Sequence, residues 1–429
     1  MTFEASPPRG VRWLFLDLNS YFASCEQQEQ PHLRGKPVAV VPMPTDATCA
    51  IAASVEAKAY GIKTGTSIWE AKERCPALQC VLARHDLYVR YHHRVIEEVA
   101  RHTPIGKVWS IDEMASKLLP LKQSVPEAMA LAQRIKDGLR RNVGECITCS
   151  IGLAPNAWLA KVASDMQKPN GLVVLEGQNL PEALLGLELQ DLCGIGANMA
   201  ARLNRAGIWT MRQLWDTSPK QMRAIWKNVE GERFWYRLHG YDVPDLETGK
   251  SVVGHSRVLD FESRRPDVAR DVCRRLTVKA CQRLRRYEMF ATHFYLSVRL
   301  CDGRRWGHDV RVPPSADTLT FVRLTHALWD AMTDALQPDR IKKVSITLMG
   351  LQETAETTGD LFEVAARKEA RIEPANKIRS TALSAAMDQI ARAYGPHAVH
   401  FGNQPQTQAG FVGTKIAFSR VPDLAEFTE

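Results

Sequence analysis

The chain has 429 residues, 45% hydrophobic and 24% charged, with a formal net charge of +8 and a pI near 8.9. That length allows several domains, each able to bury its own core, and the composition is that of a globular protein. No stretch approaches the roughly 20 apolar residues that span a bilayer, which excludes an integral membrane protein of the helical kind. The first residues, MTFEASPPRGVRW, carry Glu4 and no apolar run of signal-peptide length, so the expected location is the cytoplasm. Ten cysteines are scattered along the chain, and the one close pair, Cys146 and Cys149, has no second pair at zinc spacing. They read as small apolar residues in a reducing compartment.

In chain order, residues 11–18 (VRWLFLDL) read as a buried strand that ends on an acid. A helix follows from Ser20 into EQQEQ, then a strand over residues 37–42, then a helix over SVEAKAYGIKTG closed by Gly61. A longer helix is expected from Asp86 to His102, and a strand from Val108 to Met114. ECITCSIGLAP gives a further strand, and the helix from Asn156 stops at the turn Lys168-Pro169-Asn170-Gly171. Strands alternating with helices predict an α/β layer up to this point. Short helices run from Leu184 to Gly240, and after a polar linker the order becomes strand, helix, two strands, helix, strand. From Val253 to Gly350 there are 18 Lys and Arg against 11 Asp and Glu, so nearly all the positive excess lies in one segment, the footprint of a polyanion-binding face. Beyond Glu353 an amphipathic helix is expected, with Ile378, Leu383, Met387, Ile390 and Tyr394 as its apolar stripe.

The residues that carry chemistry are acids. Asp17 ends the first strand, and Asp112 and Glu113 stand side by side in S-I-D-E. Hard divalent cations prefer oxygen ligands, and two of them held by carboxylates can clamp an in-line phosphoryl displacement. Adjacent strand residues point to opposite faces, so Asp112 and Glu113 serve one site only where the strand bends. Asp17 also reads as a plain cap for the helix that starts near Ser20.

The motifs D-L-N-S-Y-F-A-S-C-E (Asp17 to Glu26), S-I-D-E (Ser110 to Glu113), S-I-G-L-A-P-N-x-x-L-A-K (Ser150 to Lys161) and K-P-N-G (Lys168 to Gly171) together resemble the Y-family translesion DNA polymerases. Asn19, Cys25 and A-x-x-E-A-K-A-x-G-x-K-x-G resemble most the branch of the bacterial polymerase V catalytic subunit. The resemblance implies a multi-domain α/β (α+β) right-hand polymerase. It would comprise a ferredoxin-like palm (residues 1–28 and 76–170), small fingers (29–75), a helical thumb with a helix-hairpin-helix (171–248), an α/β little finger (249–352) and a tail (353–429). Two Mg²⁺ ions would be held by Asp17, Asp112, Glu113 and the backbone carbonyl of Leu18. Tyr21 and Phe22 would lie against the nucleotide, Phe22 as the steric gate where a ribose 2′-hydroxyl would clash. Lys58 and Lys168 would reach the triphosphate. Val55 and Lys58 stand where many members have a Tyr and an Arg, which weakens the expected grip on phosphate. Lys117 stands where relatives usually have an Asp, a change the residues alone do not explain.

L-C-G-I-G-A-N-M-A-A-R-L-N-R-A-G-I resembles a helix-hairpin-helix, with Gly194 and Gly196 freeing backbone N–H groups for a phosphate. In the basic segment, Arg299 and Arg311 are strand residues suited to the DNA backbone. T-G-D-L-F partly resembles a clamp-binding peptide, with Asp360, Leu361 and Phe362 plugging a sliding-clamp pocket. The expected partners are primed template DNA, deoxynucleoside triphosphates, a sliding clamp, and a polymerase V-type accessory subunit or recombinase filament, with no membrane. The competing reading is a non-catalytic polymerase-like scaffold in a mutagenesis complex, and retention of all three acids argues for catalysis in SOS-type repair.

Overall fold

The apolar run that closes on Asp17 forms the central strand of a five-stranded sheet in the computed structural model, which describes residues 10–46, 48–246, 249–353, 374–394, 398, 421 and 422. β1 (Trp13–Leu18) passes through Ser20, at φ 49°, into α1 (Tyr21–Glu29). Ser20 holds the N-cap position of that helix without a side-chain hydrogen bond to it, and Asp17 belongs to the strand.

β2 (Val38–Val41), β3 (Ala52–Ala53), α2 (Val55–Lys58), α3 (Ile68–Arg74) and β4 (Gln79–Leu82) form a small separate layer, with β2 antiparallel to β3 and parallel to β4. The helix expected from Ser54 to Gly65 is a single turn. Gly61 takes the left-handed region at φ 72°, and Ile62 drops into the small core beside Ile68 and Val41.

The main sheet is completed by β5 (Lys107–Val108), β6 (Glu113–Lys117), β7 (Cys149–Ala154) and β8 (Leu172–Val174), in the order β5-β6-β1-β7-β8. The strand expected from Val108 to Met114 is therefore two short strands separated by a bend. Leu14, Leu16 and Leu18 face one side and share a core with α4 (His85–Ala100) and α5 (Val125–Gly138). Phe15 and Ala115 face the other side, against α6 (Ala157–Met166), as period-two alternation requires. α6 lies so close that a Cβ on Gly152 would sit 1.9 Å from the Ala160 carbonyl oxygen. Asn156 starts α6 by accepting from the Leu159 N–H at 2.7 Å, and its amide nitrogen donates to the carbonyls of Arg237 and Tyr241 at 2.8 and 2.9 Å.

Those carbonyls lie at the end of a group of short helices, α7 (Ala197–Arg205), α8 (Met211–Trp215), α9 (Pro219–Trp226) and α10 (Val229–Leu238). α8 and α9 open with reciprocal capping boxes, Thr210 with Gln213 and Ser218 with Gln221. Leu203, Leu214, Met222 and Phe234 share one apolar core with α6.

Chain contacts divide the protein into two compact units, one running to Asp245 and the other beginning at Leu246. The second contains β9 (Val252–Val258), α11 (Pro266–Arg286), β10 (Met289–Leu300), β11 (Arg305–Ser315), α12 (Thr318–Leu336) and β12 (Ile341–Met349). Its antiparallel sheet has the order β11-β10-β12-β9, and Phe294, Leu296 and Val298 face a core shared with α11 and α12. α13 (Pro374–Tyr394) packs on α12, but not with the stripe expected from its apolar residues. Leu383, Ile390 and Tyr394 are exposed, while Ser384 is buried and Asp388 is engaged by Arg285 at 2.6 and 2.8 Å. The Ser384 hydroxyl donates to Asp317 at 3.1 Å and accepts from the Thr318 N–H at 3.2 Å. Polar groups at the start of α12 and the partly buried Arg285 guanidinium set the helix's rotation, because an unpaired charge there costs more than exposed apolar area. The side chain of Ile378, and residues 358–362 with the clamp-like motif, lie outside the described residues. Among the described residues no helix is long and apolar enough to cross a membrane.

Candidate active site

Asp17 and Glu113 are directly opposed in the β1–β6 register, so both side chains project from the same face of the sheet. Asp112 sits in the bend over Ser110–Asp112, immediately before β6 begins. The chain turns there because the N–H groups of Trp109 and Ser110 both donate to the Glu113 carbonyl, at 2.9 and 3.2 Å. The bend is what lets two neighbouring acids serve one site. Leu18 donates its N–H to the Asp112 carbonyl at 2.9 Å, which brings the Leu18 backbone to the acids.

Each acid has a partner. Lys168 donates to Asp17 at 2.7 Å, Ser110 donates to Asp112 at 2.5 Å, and Lys161 of α6 is paired with Glu113 and lies 3.6 Å from Asp17. Asp165, one turn beyond Lys161 on α6, meets Lys168 at 2.7 Å and Lys161 at 3.5 Å. Burial raises the pKa of Asp17 above the ordinary carboxylate value; Lys168 and Lys161 oppose this and Glu113 adds to it. Burial also raises Asp112, with the Ser110 hydrogen bond opposing and the Asp17 charge reinforcing. For Lys161, burial pulls the pKa down but Asp165, Glu113 and Asp17 outweigh it, so the ammonium is held charged. Lys168 behaves alike, with Asp17 and Asp165 outweighing burial. Lys58, at the end of α2, is lowered by partial desolvation and by Lys168, while Asp17 and Asp112 pull it back, which places its charge at the same site.

The turn that carries Lys168 is anchored from three sides. Asn19 accepts from the Asn170 N–H at 2.8 Å and donates to Ser150 at 3.0 Å, and Ser150 accepts from the Gly171 N–H at 3.2 Å. Lys136 of α5 donates to the carbonyls of Asn170 and Gly171 at 2.6 and 2.9 Å. On α1, the Phe22 ring is half-buried and stacks on Tyr88, whereas the Tyr21 hydroxyl is committed to the Tyr88 carbonyl at 2.7 Å. Val55 is exposed. Lys117 is explained structurally: it pairs with Asp242 at 3.1 Å and lies over the Trp13 ring, while Trp13 donates to the same carboxylate.

Of the residues singled out in the sequence, Asp17, Asp112, Glu113, Lys58 and Lys168 are brought together in the structure. Lys161 and Asp165 carry no expected role from the sequence, although they stand one turn apart on α6 and Lys168 follows in the turn just beyond its end. The oxygen donors suit a hard divalent cation. As the side chains stand, no three His, Cys, Asp or Glu groups among the described residues surround an ion-sized point, since Lys161 and Lys168 hold the carboxylates instead.

Elsewhere in the first unit, Gly194 turns the chain at φ 94° and Gly196 caps α7, with open space around both. In the second unit, Arg299 faces Arg305 across one strand pair and Lys343 across the other, all three exposed on the sheet face away from the core. Arg311 is exposed opposite His293 on the same face.

Residues 16–165 match the impB/mucB/samB family and residues 250–361 match the impB/mucB/samB family C-terminal domain. DNA polymerase IV of Moorella thermoacetica is 31% identical over 399 residues, covering 90% of this chain and 94% of that protein. DNA polymerase IV 1 of Bacillus subtilis is 30% identical over 294 residues, covering 67% and 70%. These are polymerase IV enzymes, so kinship with the polymerase V branch rests on the sequence motifs alone. Among solved structures, the Y-family DNA polymerase chimera Dbh-Dpo4(243-245)-Dbh superposes with a TM-score of 0.68 at 21% identity, covering 80% of this chain and 99% of that one. The insertion ternary complex of Dbh DNA polymerase gives 0.51 at 22%, with the same coverage. The paired family matches, the extent of identity to the polymerase IV enzymes and the shared right-hand architecture agree: the chain belongs to the impB/mucB/samB family, the Y-family of translesion DNA polymerases.

Proposed function

We propose that this DNA-directed DNA polymerase extends primers past damaged template positions by metal-assisted nucleotidyl transfer at Asp17, Asp112 and Glu113, within an SOS-type response. The observation that carries this reading is the pair of opposed acids on one sheet face with a third in the adjoining bend, encircled by Lys58, Lys161 and Lys168. Two Mg²⁺ ions would be held by the three carboxylates and the Leu18 carbonyl, supplying charge neutralisation and Lewis-acid polarisation of the phosphates. The chain's own residues do the rest. Lys168 and Lys58 bind the triphosphate as point charges, Phe22 presses on the sugar, and the turn at Gly194 to Gly196 holds a backbone phosphate. Primer extension by the purified protein with Mg²⁺, on damaged and undamaged templates, tests the reading. No addition on either template, with accessory partners supplied, overturns it in favour of a scaffold.

Two further results are expected. Lys168→Ala raises KM for the incoming triphosphate about tenfold, the worth of one charge-assisted hydrogen bond, and leaves kcat less affected. Steady-state kinetics checks this. For the second unit, we propose that the face carrying Arg299, Arg305, Arg311 and Lys343 follows the DNA backbone. Replacing Arg299, Arg305 and Lys343 together with Ala lowers the slope of log affinity against log salt by about 0.9 per lost phosphate contact, up to about 3 in all. An unchanged slope in a salt titration of duplex binding removes this face from the interface. Clamp binding through Asp360, Leu361 and Phe362, tested by pull-down with Leu361 and Phe362 changed to Ala, and an accessory subunit or recombinase partner belong to the same proposal.

A further inference from the structure

Phe22 does not stand alone. Its ring lies parallel to that of Tyr88 on α4, with centroids 4.4 Å apart and 12° between planes, so a wall facing the nucleotide is backed by a second ring. Tyr88 is fully buried and held at two points: its hydroxyl donates to Glu26 at 2.7 Å, and its carbonyl accepts from the Tyr21 hydroxyl at 2.7 Å. Glu26 is also fully buried. It is fixed by Arg84, whose Nε lies 3.2 and 3.1 Å from its two oxygens, and by Gln30 at 2.9 Å. Phe22 and Glu26 are four residues apart on α1, and Arg84 and Tyr88 four apart at the start of α4, so each pair lies along one side of its helix. The two helices meet through a square of one ring stack and one ion pair, between the buried Glu26 and the partly exposed Arg84. A buried carboxylate fully satisfied in this way is a rigid point, because every alternative position leaves a charge unpaired.

We infer that Tyr88, held by Glu26 and Arg84, is a positioning residue that sets the depth of Phe22 and thereby determines how strongly the polymerase rejects ribonucleotides. This rests on the reading of Phe22 as the sugar gate. Selectivity of this kind is steric: a ring free to retreat by a fraction of an ångström admits one extra oxygen. Tyr88 touches no substrate and acts only through the ring it supports.

The test is the ratio of kcat/KM for a ribonucleotide to that for the matching deoxyribonucleotide, measured with the full-length protein on primed template. Tyr88→Leu removes the flat support and is expected to raise that ratio at least about tenfold. Tyr88→Phe keeps the stacked ring but loses the hydroxyl's hold on Glu26, so its ratio is expected to fall between wild type and Tyr88→Leu, at about threefold above wild type, an order that general destabilisation would not follow. Should Tyr88→Leu fail to fold, Glu26→Gln decides, since it loosens the anchor without emptying the core and moves the ratio in the same direction. Phe22→Ala is the reference. If it raises ribonucleotide use while Tyr88→Leu and Glu26→Gln do not, the support role is overturned and the gate stands. If Phe22→Ala leaves the ratio unchanged, both fall.

Discussion

Asp112→Asn is expected to reduce primer extension by on the order of 10³-fold or more, the loss of several kcal/mol of charge stabilisation at the transferring phosphate. The same variant is expected to be more stable than wild type in the absence of metal. Asp112 is half-buried and lies close to the Asp17 charge, and desolvation raises its pKa from 3.8. The folded protein therefore holds that proton more tightly than the unfolded chain. The penalty is absent below pH 3.8, grows as pH rises through the raised value, and is fully present above it. Asparagine keeps an oxygen for the Ser110 hydroxyl and removes the charge. A metal-free melting curve at neutral pH should thus shift up, by on the order of 1 kcal/mol, in a protein that no longer adds nucleotides. A variant that keeps wild-type turnover refutes the assignment of this carboxylate to the chemistry.

Gly152→Ala is expected to destabilise the first unit by about 3 kcal/mol or more, because one methyl group would lie 1.9 Å from the Ala160 carbonyl oxygen and 2.5 Å from the Ser164 nitrogen, both fixed by their helix. The backbone cannot yield locally as a flexible side chain would. α6 must move away from β7, taking Lys161 away from Glu113, so activity should fall together with stability. Denaturant unfolding measures the first effect and primer extension the second. A loss below about 0.5 kcal/mol would show that α6 shifts at little cost.

How legible the site was depends on the distance over which each residue acts. Asp17 could be read because a strand of apolar residues ended on it, and Asp112 with Glu113 because neighbouring acids demanded a bend, which the Glu113 carbonyl makes by accepting two N–H groups. Lys168 could be read from its turn. Lys161 and Asp165 could not be assigned, since their approach to the acids depends on how tightly α6 packs on Gly152, a contact between helix and sheet that no periodicity encodes. Tyr88 was hidden for the same reason: it supports Phe22 from another helix, 66 residues away in sequence. The α13 stripe misled because hydrophobic periodicity assumes an apolar surface on the other side. Here the other side offered Arg285 and the polar start of α12, and the helix rotated to meet them.

Asn156 turns α6 into a shared axle. One end of that helix is fastened through a single amide to the carbonyls of Arg237 and Tyr241, and the other leads to the lysines that neutralise the acids. A displacement of the α10 end is therefore a displacement of the charge around the three acids, and under the proposed function holding DNA and adding a nucleotide are mechanically geared rather than separately adjustable.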